Sequence, residues 1–474
     1  MSSTLNVDIC VIGGGSGGLG VAAGAAQMGA KTVLIESGKM GGDCLNYGCV
    51  PSKALIAAGK HAKAMTDGAD FGITPVKPQV DFAKVNAHVK DVIAGIAPMD
   101  SVERFEGLGV TVLQGAGRFV DKRTVEVNGQ KIKARRIVIA TGSSAATPPI
   151  PGLDQVSYLT NENIFDLTTC PEHLIIIGGG PIGMEMAQAH VRLGARVTVL
   201  EAFKLLGKDD PELTAIVLDR LRSEGADLRE GVKIGRIDQT GGEVNITLQT
   251  DAGEEIIKGS HLLVAAGRKP NLDGLNLEAA GIDYTPRGIK VDDRLRTTNK
   301  KVFAIGDVAG GLQFTHVAGY HAGIVIRNAL FRVPAKADHS SVPWVTYTDP
   351  EMAHVGLTEE MARQKMSKVE VLRWPFAEND RAAAERKTEG LIKVITDSHA
   401  RILGASIVGP GAGELILPWV MAVSQGMKVS TMASVIAPYP TMSEVSKRAA
   451  GSYYTPTLFS ARTRFVVRFL SMFG

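Results

Sequence analysis

One pattern occurs twice in the chain, and it restricts the fold more than any other feature. Asp8 to Glu36 reads DICVIGGGSGGLGVAAGAAQMGAKTVLIE, and His173 to Glu201 reads HLIIIGGGPIGMEMAQAHVRLGARVTVLE. Each begins with a β-branched run and turns through a Gly-x-Gly-x-x-Gly. Small residues at helical spacing follow, and a second apolar run closes on a glutamate. The glycines are Gly13, Gly15 and Gly18 in the first unit and Gly178, Gly180 and Gly183 in the second. In such a unit the first glycine makes the tight turn, the second lets backbone approach a pyrophosphate, and the third lets helix and strand pack closely. The helix N-terminus offers unpaired N–H groups and a positive dipole to phosphate. The closing carboxylates, Glu36 and Glu201, can accept hydrogen bonds from ribose hydroxyls. One such glycine turn is weak support; two, each with its strand, helix and distal acid, predict two dinucleotide sites.

The bulk numbers fit this reading and remove others. A length of 474 residues suggests about three domains of roughly 150 residues. A net charge of +3 gives no electrostatic case for nucleic acid. Four cysteines, Cys10, Cys44, Cys49 and Cys170, are too few for a disulfide scaffold in a chain this long. No window approaches ~18 consecutive apolar residues, the length a spanning helix needs. The opening has no leader-like pattern, so a cytoplasmic location is expected.

Between and after the two units lie RRIVIATGSSAATPPIPG, Arg135 to Gly152, and HLLVAAGRKPN, His261 to Asn271. Both are apolar strands ending in small-residue turns, where a chain can cross between domains; Pro148, Pro149 and Pro151 punctuate the first. The segment TTNKKVFAIGDVAGG then ends a strand at Gly306-Asp307. Asp307 can accept hydrogen bonds from a polyol or simply cap the next helix. From about Ser341 the pattern changes to short strands, in VPWVTYTDPEMAHVGLT, EGLIKVITD and RILGASIVGPGA, interleaved with helical stretches at Glu359 to Lys365 and Glu414 to Gly426. This predicts an α+β unit rather than a third nucleotide fold.

The segment MGGDCLNYGCVPSKAL, Met40 to Leu55, holds the reactive chemistry. In a regular helix an offset of five residues turns about 140° at roughly 3.6 residues per turn, so the sulfurs of Cys44 and Cys49 would not meet. A bond between them needs an irregular first turn, which Gly48 makes easier. Pro51 and Lys53 suit a helix opening, and Lys53 can stabilise a thiolate. Metal ligation is the other use of paired cysteines, but the next histidine is His61 and Cys10 sits in a core strand, so the ligand count is short. Cys10 and Cys170 are expected to be packing residues.

GGDCLNYGCVPSK resembles the active-site stretch of the class I pyridine nucleotide-disulfide oxidoreductases, which include dihydrolipoamide dehydrogenase, glutathione reductase and mercuric reductase. The similarity takes in both glycine turns, ATG at Ala140 to Gly142, AIGD at Ala304 to Asp307 and PWVTYTDPEMAHVG near the C-terminus. It implies an α/β fold of two Rossmann-like dinucleotide-binding domains and a C-terminal α+β dimerisation domain. The implied bounds are 1–150 and 271–340 for an FAD-binding and central domain, 151–270 for an NAD(P)-binding domain, and 341–474 for the dimer interface. FAD would be held by Gly13, Gly15, Gly18, Glu36, Gly42, Lys53, Gly117, Thr141, Gly142 and Asp307. NAD(P)H would be held by Gly178, Gly180, Gly183, Glu201 and Gly267. Hydride would pass to the flavin and electrons on to the disulfide. Cys49 would be the flavin-side thiolate and Cys44 the interchange thiol, with Lys53 paired to Glu185. The family's enzymes are homodimers whose C-terminal domain completes the partner's site. A carboxylate at Glu201 repels a 2′-phosphate and accepts a free 2′-hydroxyl; Arg196 and Lys204 lie nearby in sequence, and NADH is favoured over NADPH.

The chain departs from that family in three places. The disulfide-reducing members carry an HxHPTxxE stretch whose second histidine protonates the leaving thiol. Here APYPTMSE puts Tyr439 in that place and keeps the carboxylate as Glu444, and a tyrosine near pKa about 10 shuttles protons poorly at neutral pH. Mercuric reductases share the tyrosine but add a C-terminal cysteine pair, and here no cysteine follows Cys170. The family's GGT is GGD, which puts Asp43 beside Cys44, where an unpaired carboxylate would raise the thiol pKa. The last twenty residues, Thr455 to Gly474, add Arg462, Arg464 and Arg468 to an apolar stripe of Phe465, Phe469 and Phe473. That stripe predicts a helix docked on its own dimer or, alternatively, in contact with a membrane or membrane partner. The expected activity is an FAD-dependent, NADH-preferring reductase passing electrons through Cys44–Cys49 to a small disulfide, thiol oxidant, soft metal ion or quinone. The alternatives are a dihydrolipoamide dehydrogenase and a non-catalytic FAD-binding scaffold.

Overall fold

Alternation of fully buried residues sets the first sheet. The computed structural model describes residues 4–473, which fall into two compact units. The first unit gathers the chain up to Gly179, Ala189–Ala202 and Val232–Asp338. Its main sheet runs Val110–Gln114, Thr32–Glu36, Leu5–Ile12, Gln130–Ile139, Thr124–Val127, Arg118–Asp121, with Val302–Ala304 also paired to Gln130–Ile139. The strands around Leu5–Ile12 are parallel, with Cys10 opposite Val33 and Ile137. Ile9, Val11 and Leu34 point to one face, where Leu19, Val21, Ala22 and Ala25 of the helix Ser16–Gln27 cover them. Cys10, Ile12, Val33 and Ile35 point to the other face, against Phe119, Val125 and Val302. Parallel strands buried on both faces read as unbroken apolar runs, as DICVI and TVLI do.

The same unit holds a second parallel ladder, Arg196–Leu200 beside His173–Ile177 beside His261–Val264. Ile175, Ile177, Leu200 and Val264 pack with Ile237, Val244, Ile246 and Leu248 of a three-stranded antiparallel sheet, Lys233–Thr240, Glu243–Thr250 and Gly253–Gly259. These are the two nucleotide-binding α/β folds expected from the repeated pattern.

The second unit gathers Gly180–Gln188, Phe203–Gly231 and the chain from His339 on. Five antiparallel strands lie in the order Trp344–Thr346, Glu351–Gly356, Ile402–Gly409, Leu391–Asp397, Val369–Pro375. Helices Leu417–Ser424, Val429–Ser434 and Glu444–Ser452 close the core around Phe376, Ile392, Ile407, Trp419 and Val445. The buried Trp419 indole donates to Ser446 Oγ at 3.0 Å, so its one polar group is satisfied. The tail forms the helix Ala461–Leu470, capped by the Ser460 hydroxyl, with Phe465, Phe469 and Phe473 all well exposed. No helix among the described residues is long and apolar enough to cross a membrane.

Candidate active site

Backbone crowding defines the first dinucleotide turn. Gly13 has φ +110°, and a Cβ there would lie 2.3 Å from Ala140 O; a Cβ on Gly18 would lie 1.8 Å from Gly13 O. No side chain fits either place, so the turn and the helix Ser16–Gln27 close together only with glycine. Glu36 Oε2 accepts the Gly14 N–H at 2.5 Å and Oε1 accepts that of Gly38 at 2.6 Å. The second turn repeats this geometry. Gly178 has φ +115° with a Cβ position 2.4 Å from Ala265 O, and Glu201 Oε2 accepts the Gly179 N–H at 2.7 Å. Both carboxylates reach back across the same 22 residues. Around Gly180 nothing lies within 4 Å of a would-be Cβ, and the helix Pro181–Arg192 starts there. An open approach at a helix N-terminus, next to a fixed acid, suits a pyrophosphate and a ribose. The residues present therefore fit dinucleotides at both turns.

Gly15 bridges to Gly41, and a Cβ on Gly42 would meet Gly15 Cα at 2.7 Å, so the cysteine segment passes directly over the first turn. The segment folds as two helices, Gly42–Asn46 and Cys49–Ala64, broken at Tyr47 and Gly48. Gly48 has φ −126° and ψ −112°, far from helical values. That break removes the angular mismatch of a five-residue offset and leaves two free thiols close enough to act on each other. Cys49 opens a 16-residue helix, where the dipole favours a thiolate.

The electrostatics separate the two sulfurs. Cys49 is drawn down to about 6, chiefly by the Cys44 hydrogen bond, with help from Thr315 and the Lys53 charge. Its sulfur stands 3.5 Å from Thr315 Oγ1. Cys44 is pushed well up by the same hydrogen bond and by burial. Cys10 is fully buried, which raises its thiol to about 12, and burial also raises Cys170. Cys10 packs in the core of the first sheet, and Cys170 is partly buried. No cluster of three or more metal-ligating side chains occurs among the described residues.

Asp307 follows the strand Val302–Ala304 and accepts from Ser143 Oγ at 2.5 Å. Burial raises its pKa, against the pull of Ser143 and Arg268. Its carboxylate is turned toward Ser143, and it gives no side-chain cap to its own turn. Thr141 Oγ1 donates to Asn271 O at 2.8 Å, the Asn271 N–H donates to Gly142 O at 3.0 Å, and Gly267 O accepts from Ala146 at 2.9 Å. Gly117 lies against Ile35 and Ile12. In the second unit Glu185 is buried and accepts the Tyr347 N–H at 3.0 Å. Tyr439 is largely exposed and donates to Asp380 Oδ2 at 2.9 Å; that carboxylate pushes the phenol up further. Glu444 begins the helix Glu444–Ser452 and adds to the same upward push. The Tyr439 hydroxyl is thus engaged elsewhere and is a poorer proton shuttle than a free phenol.

Sequence reasoning missed Arg268, Ser143, Asn161 and Thr315. Arg268 directly follows Gly267 in a recognisable motif, but its partner Ser143 lies 125 residues away, and a lone arginine has no periodicity to reveal that.

Residues 7–322 match the family model described as pyridine nucleotide-disulphide oxidoreductase, and residues 342–450 match its dimerisation domain. A mercuric reductase of Lysinibacillus sphaericus is 37% identical over 448 residues, 94% of this chain and 82% of that protein. A dihydrolipoyl dehydrogenase of Thermus scotoductus is also 37% identical, over 94% of this chain and 96% of that one. The solved structure of the HOCl-induced flavoprotein disulfide reductase RclA from Escherichia coli, in its Cu(II) complex, superposes with TM-score 0.84 at 29% identity, over 93% of this chain and 99% of that one. The family is one of FAD enzymes that use a nicotinamide dinucleotide, and the matched dimerisation domain is consistent with a homodimer. With two dinucleotide turns, a paired dithiol and matches over nearly its whole length, the chain belongs to the class I pyridine nucleotide-disulfide oxidoreductases, in the branch of dihydrolipoamide dehydrogenase and mercuric reductase.

Proposed function

We propose that the protein takes electrons from NADH and delivers them through the Cys44–Cys49 pair to an oxidised acceptor that a thiol can attack. The observation that carries this is the placement of the cysteine segment against the first glycine turn, with Gly41 bridged to Gly15 and Cys49 at the head of its helix; the electrostatics, which draw Cys49 down and push Cys44 up, agree with it. FAD, when bound, supplies the two-electron step between nicotinamide and disulfide. Gly13, Gly15, Gly18, Glu36, Gly42, Lys53, Gly117, Thr141, Gly142 and Asp307 would hold it, within 1–150 and 271–340. Gly178, Gly180, Gly183, Glu201 and Gly267 would hold the nicotinamide dinucleotide, within 151–270, and 341–474 would make the dimer. Cys49 would remain the thiolate, steadied by Lys53 and the helix N-terminus. Cys44 would lose its proton as it attacks. Glu185 would orient Lys53, and Tyr439 with Glu444 would stand at the acceptor mouth.

NADH is favoured because the two basic residues near Glu201 in sequence are turned to other partners. Arg196 contacts His173 at 2.5 Å, and Lys204 lies 3.7 Å from Glu230. For the acceptor, a thiol oxidant, soft metal ion or quinone suits the engaged Tyr439 better than a small disulfide such as lipoamide does, because a disulfide acceptor needs its leaving thiol protonated. The description of the solved relative as HOCl-induced, and its Cu(II) complex, support the oxidant and metal classes. A lipoamide-linked role is the second reading, supported by the relatives named dihydrolipoyl dehydrogenase.

Anaerobic titration followed by an NADH oxidation panel over lipoamide, glutathione disulfide, Hg(II), Cu(II), quinones and hypothiocyanite tests this. NADH is expected to bleach the flavin band at concentrations at least about tenfold below NADPH, with lipoamide among the slow acceptors. Rapid lipoamide turnover would move the chain to the second reading, and no reduction by either nucleotide would leave only a scaffold.

The tail supports one further assignment, an anionic membrane surface. Between Thr455 and Gly474 there are three arginines and no acid. Arg464 and Arg468 share one flank of the helix Ala461–Leu470, beside exposed Phe465 and Phe469. Basic and apolar faces side by side suit an interfacial helix. Full-length protein should co-sediment with vesicles containing anionic lipid and not with neutral ones, and truncation before Thr455 should abolish this. Equal soluble fractions would reject the assignment, and a truncated protein that turns monomeric would instead place the helix on its own dimer.

A further inference from the structure

Arg268 is nearly enclosed, its side chain 14% exposed, and it stands between two carboxylates. Its Nη2 lies 3.1 Å from Asp43 Oδ1 and donates to Ser143 O at 2.6 Å. Its Nε donates to Ser143 Oγ at 2.8 Å and lies 3.9 Å from Asp307 Oδ2. Asp43 also accepts the Asn161 amide at 2.9 Å, and Asn161 donates to Tyr47 O at 3.2 Å. Asp43 immediately precedes Cys44 and touches the residue that separates the two cysteine helices, since a Cβ on Gly48 would lie 2.9 Å from Asp43 Oδ2. A bare carboxylate at that place opposes any thiolate nearby.

We propose that Arg268 is a positioning residue of the dithiol: it cancels the charge of Asp43 beside the cysteines and, through Ser143 and Asp307, ties the cysteine turn to the turn after Val302–Ala304. The proposal rests on the reading of Cys44–Cys49 as the redox pair. The groups of this unit that act on Cys49 are few. Lys53 comes from its own helix, Thr315 from the helix Thr315–Ala329, and Cys44 and Asp43 from the short helix before it. Of these, only Asp43 opposes the thiolate by its charge, and only Arg268 forms an ion pair with Asp43 among the described residues. Asp43 replaces the threonine of the related GGT stretch, so the arginine offsets a charge that the threonine would not bring.

The test uses the reduced holoenzyme and follows the pH dependence of Cys49 alkylation by iodoacetamide, read on the Cys49 peptide by mass spectrometry. The wild-type midpoint should lie well below the roughly 8.5 of a free cysteine. Arg268→Met should raise it by about one unit, and Asp43→Asn should lower it. The double variant should return to within a few tenths of wild type, because the two charges act as a pair. Arg268→Lys, which keeps the charge, should stay near wild type. A role in packing alone would not make the Asp43→Asn change reverse the Arg268→Met shift. An unmoved midpoint in Arg268→Met, or a double variant as shifted as Arg268→Met, overturns the proposal. If Arg268→Met fails to fold, Asp43→Asn decides: a lowered midpoint supports the pairing and an unchanged one overturns it. A wild-type midpoint near that of free cysteine overturns the dithiol reading and this proposal together, a different result from unmoved variants.

Discussion

Cys49→Ser should lower turnover with every thiol-linked acceptor by on the order of 10³-fold or more, while the purified protein stays yellow. The turn proposed to hold the cofactor is built by Gly13, Gly18 and Glu36 and does not use the sulfur. Cys44→Ser should cost as much in turnover for a different reason. It removes the attacking sulfur and leaves Cys49 in place at the head of its helix. The two variants therefore separate in the spectrum. Wild type after two-electron reduction should show the long-wavelength absorbance that a cysteine thiolate gives with oxidised flavin, and Cys49→Ser should lack it. Cys44→Ser should keep the absorbance even before reduction, and Cys44→Ala, which removes the donor that chiefly lowers Cys49, should move its titration to higher pH. In wild type the band should grow as pH rises through about 6, since the form below that is the protonated thiol. Stopped-flow spectra at pH 5, 7 and 9 check the order. A Cys49→Ser enzyme that keeps both the band and its acceptor turnover would remove Cys49 from the electron path.

The parts of this site that local chemistry dictates are legible in the sequence. Gly13 and Gly18 announce a turn because nothing with a Cβ fits between it and its neighbours, and the apolar runs DICVI and HLIII announce strands buried on both faces. The need for a break at Gly48 follows from helix geometry alone, and the backbone departs from helix there. What stays hidden is long in sequence range or carried by ordinary residues. Asp43 is legible as a charge beside Cys44; the arginine and asparagine that pair with it come from segments more than a hundred residues downstream. Tyr439 can be read by its identity but not by its partner, since Asp380 lies 59 residues earlier at the start of the helix Asp380–Ala384. The strand Val369–Pro375 and the sheet Lys233–Gly259 escape sequence reasoning, because mixed polar and apolar residues in short strands resemble loops until partner strands are known. The phenylalanine stripe of the tail is legible as a helix face, but periodicity does not name what covers it.

Lys393→Met should destabilise the second unit by about 3–5 kcal/mol, the usual cost of removing one partner from a buried ionic cluster. Lys393 lies on the interior strand Leu391–Asp397 with its side chain 4% exposed, and its ammonium reaches Asp210 at 2.8 Å, Glu212 at 2.9 Å and Glu359 at 2.8 Å. Asp210 also caps the helix Pro211–Ser223, so the cluster joins that helix to the sheet. Arg373, bonded to Glu212 at 2.8 Å and Glu359 at 3.2 Å, remains in the variant and sets the loss at the lower end of that range. The pH dependence has a definite sign. Lys393 and Arg363 hold Glu359 down to about 2 from an ordinary 4.5. Wild type therefore keeps this contribution above about pH 4.5 and loses it as pH falls toward 2. In Lys393→Met the carboxylates repel one another instead, their pKa values rise, and protonation relieves the strain. The gap between wild type and variant should then narrow on acidification from pH 7 to 4. All three tryptophans, Trp344, Trp374 and Trp419, lie in the second unit, so urea unfolding followed by tryptophan fluorescence reads this unit directly. A gap that is the same at pH 7 and pH 4 would show that Lys393 contributes packing of its aliphatic stem and not the charge that three carboxylates share.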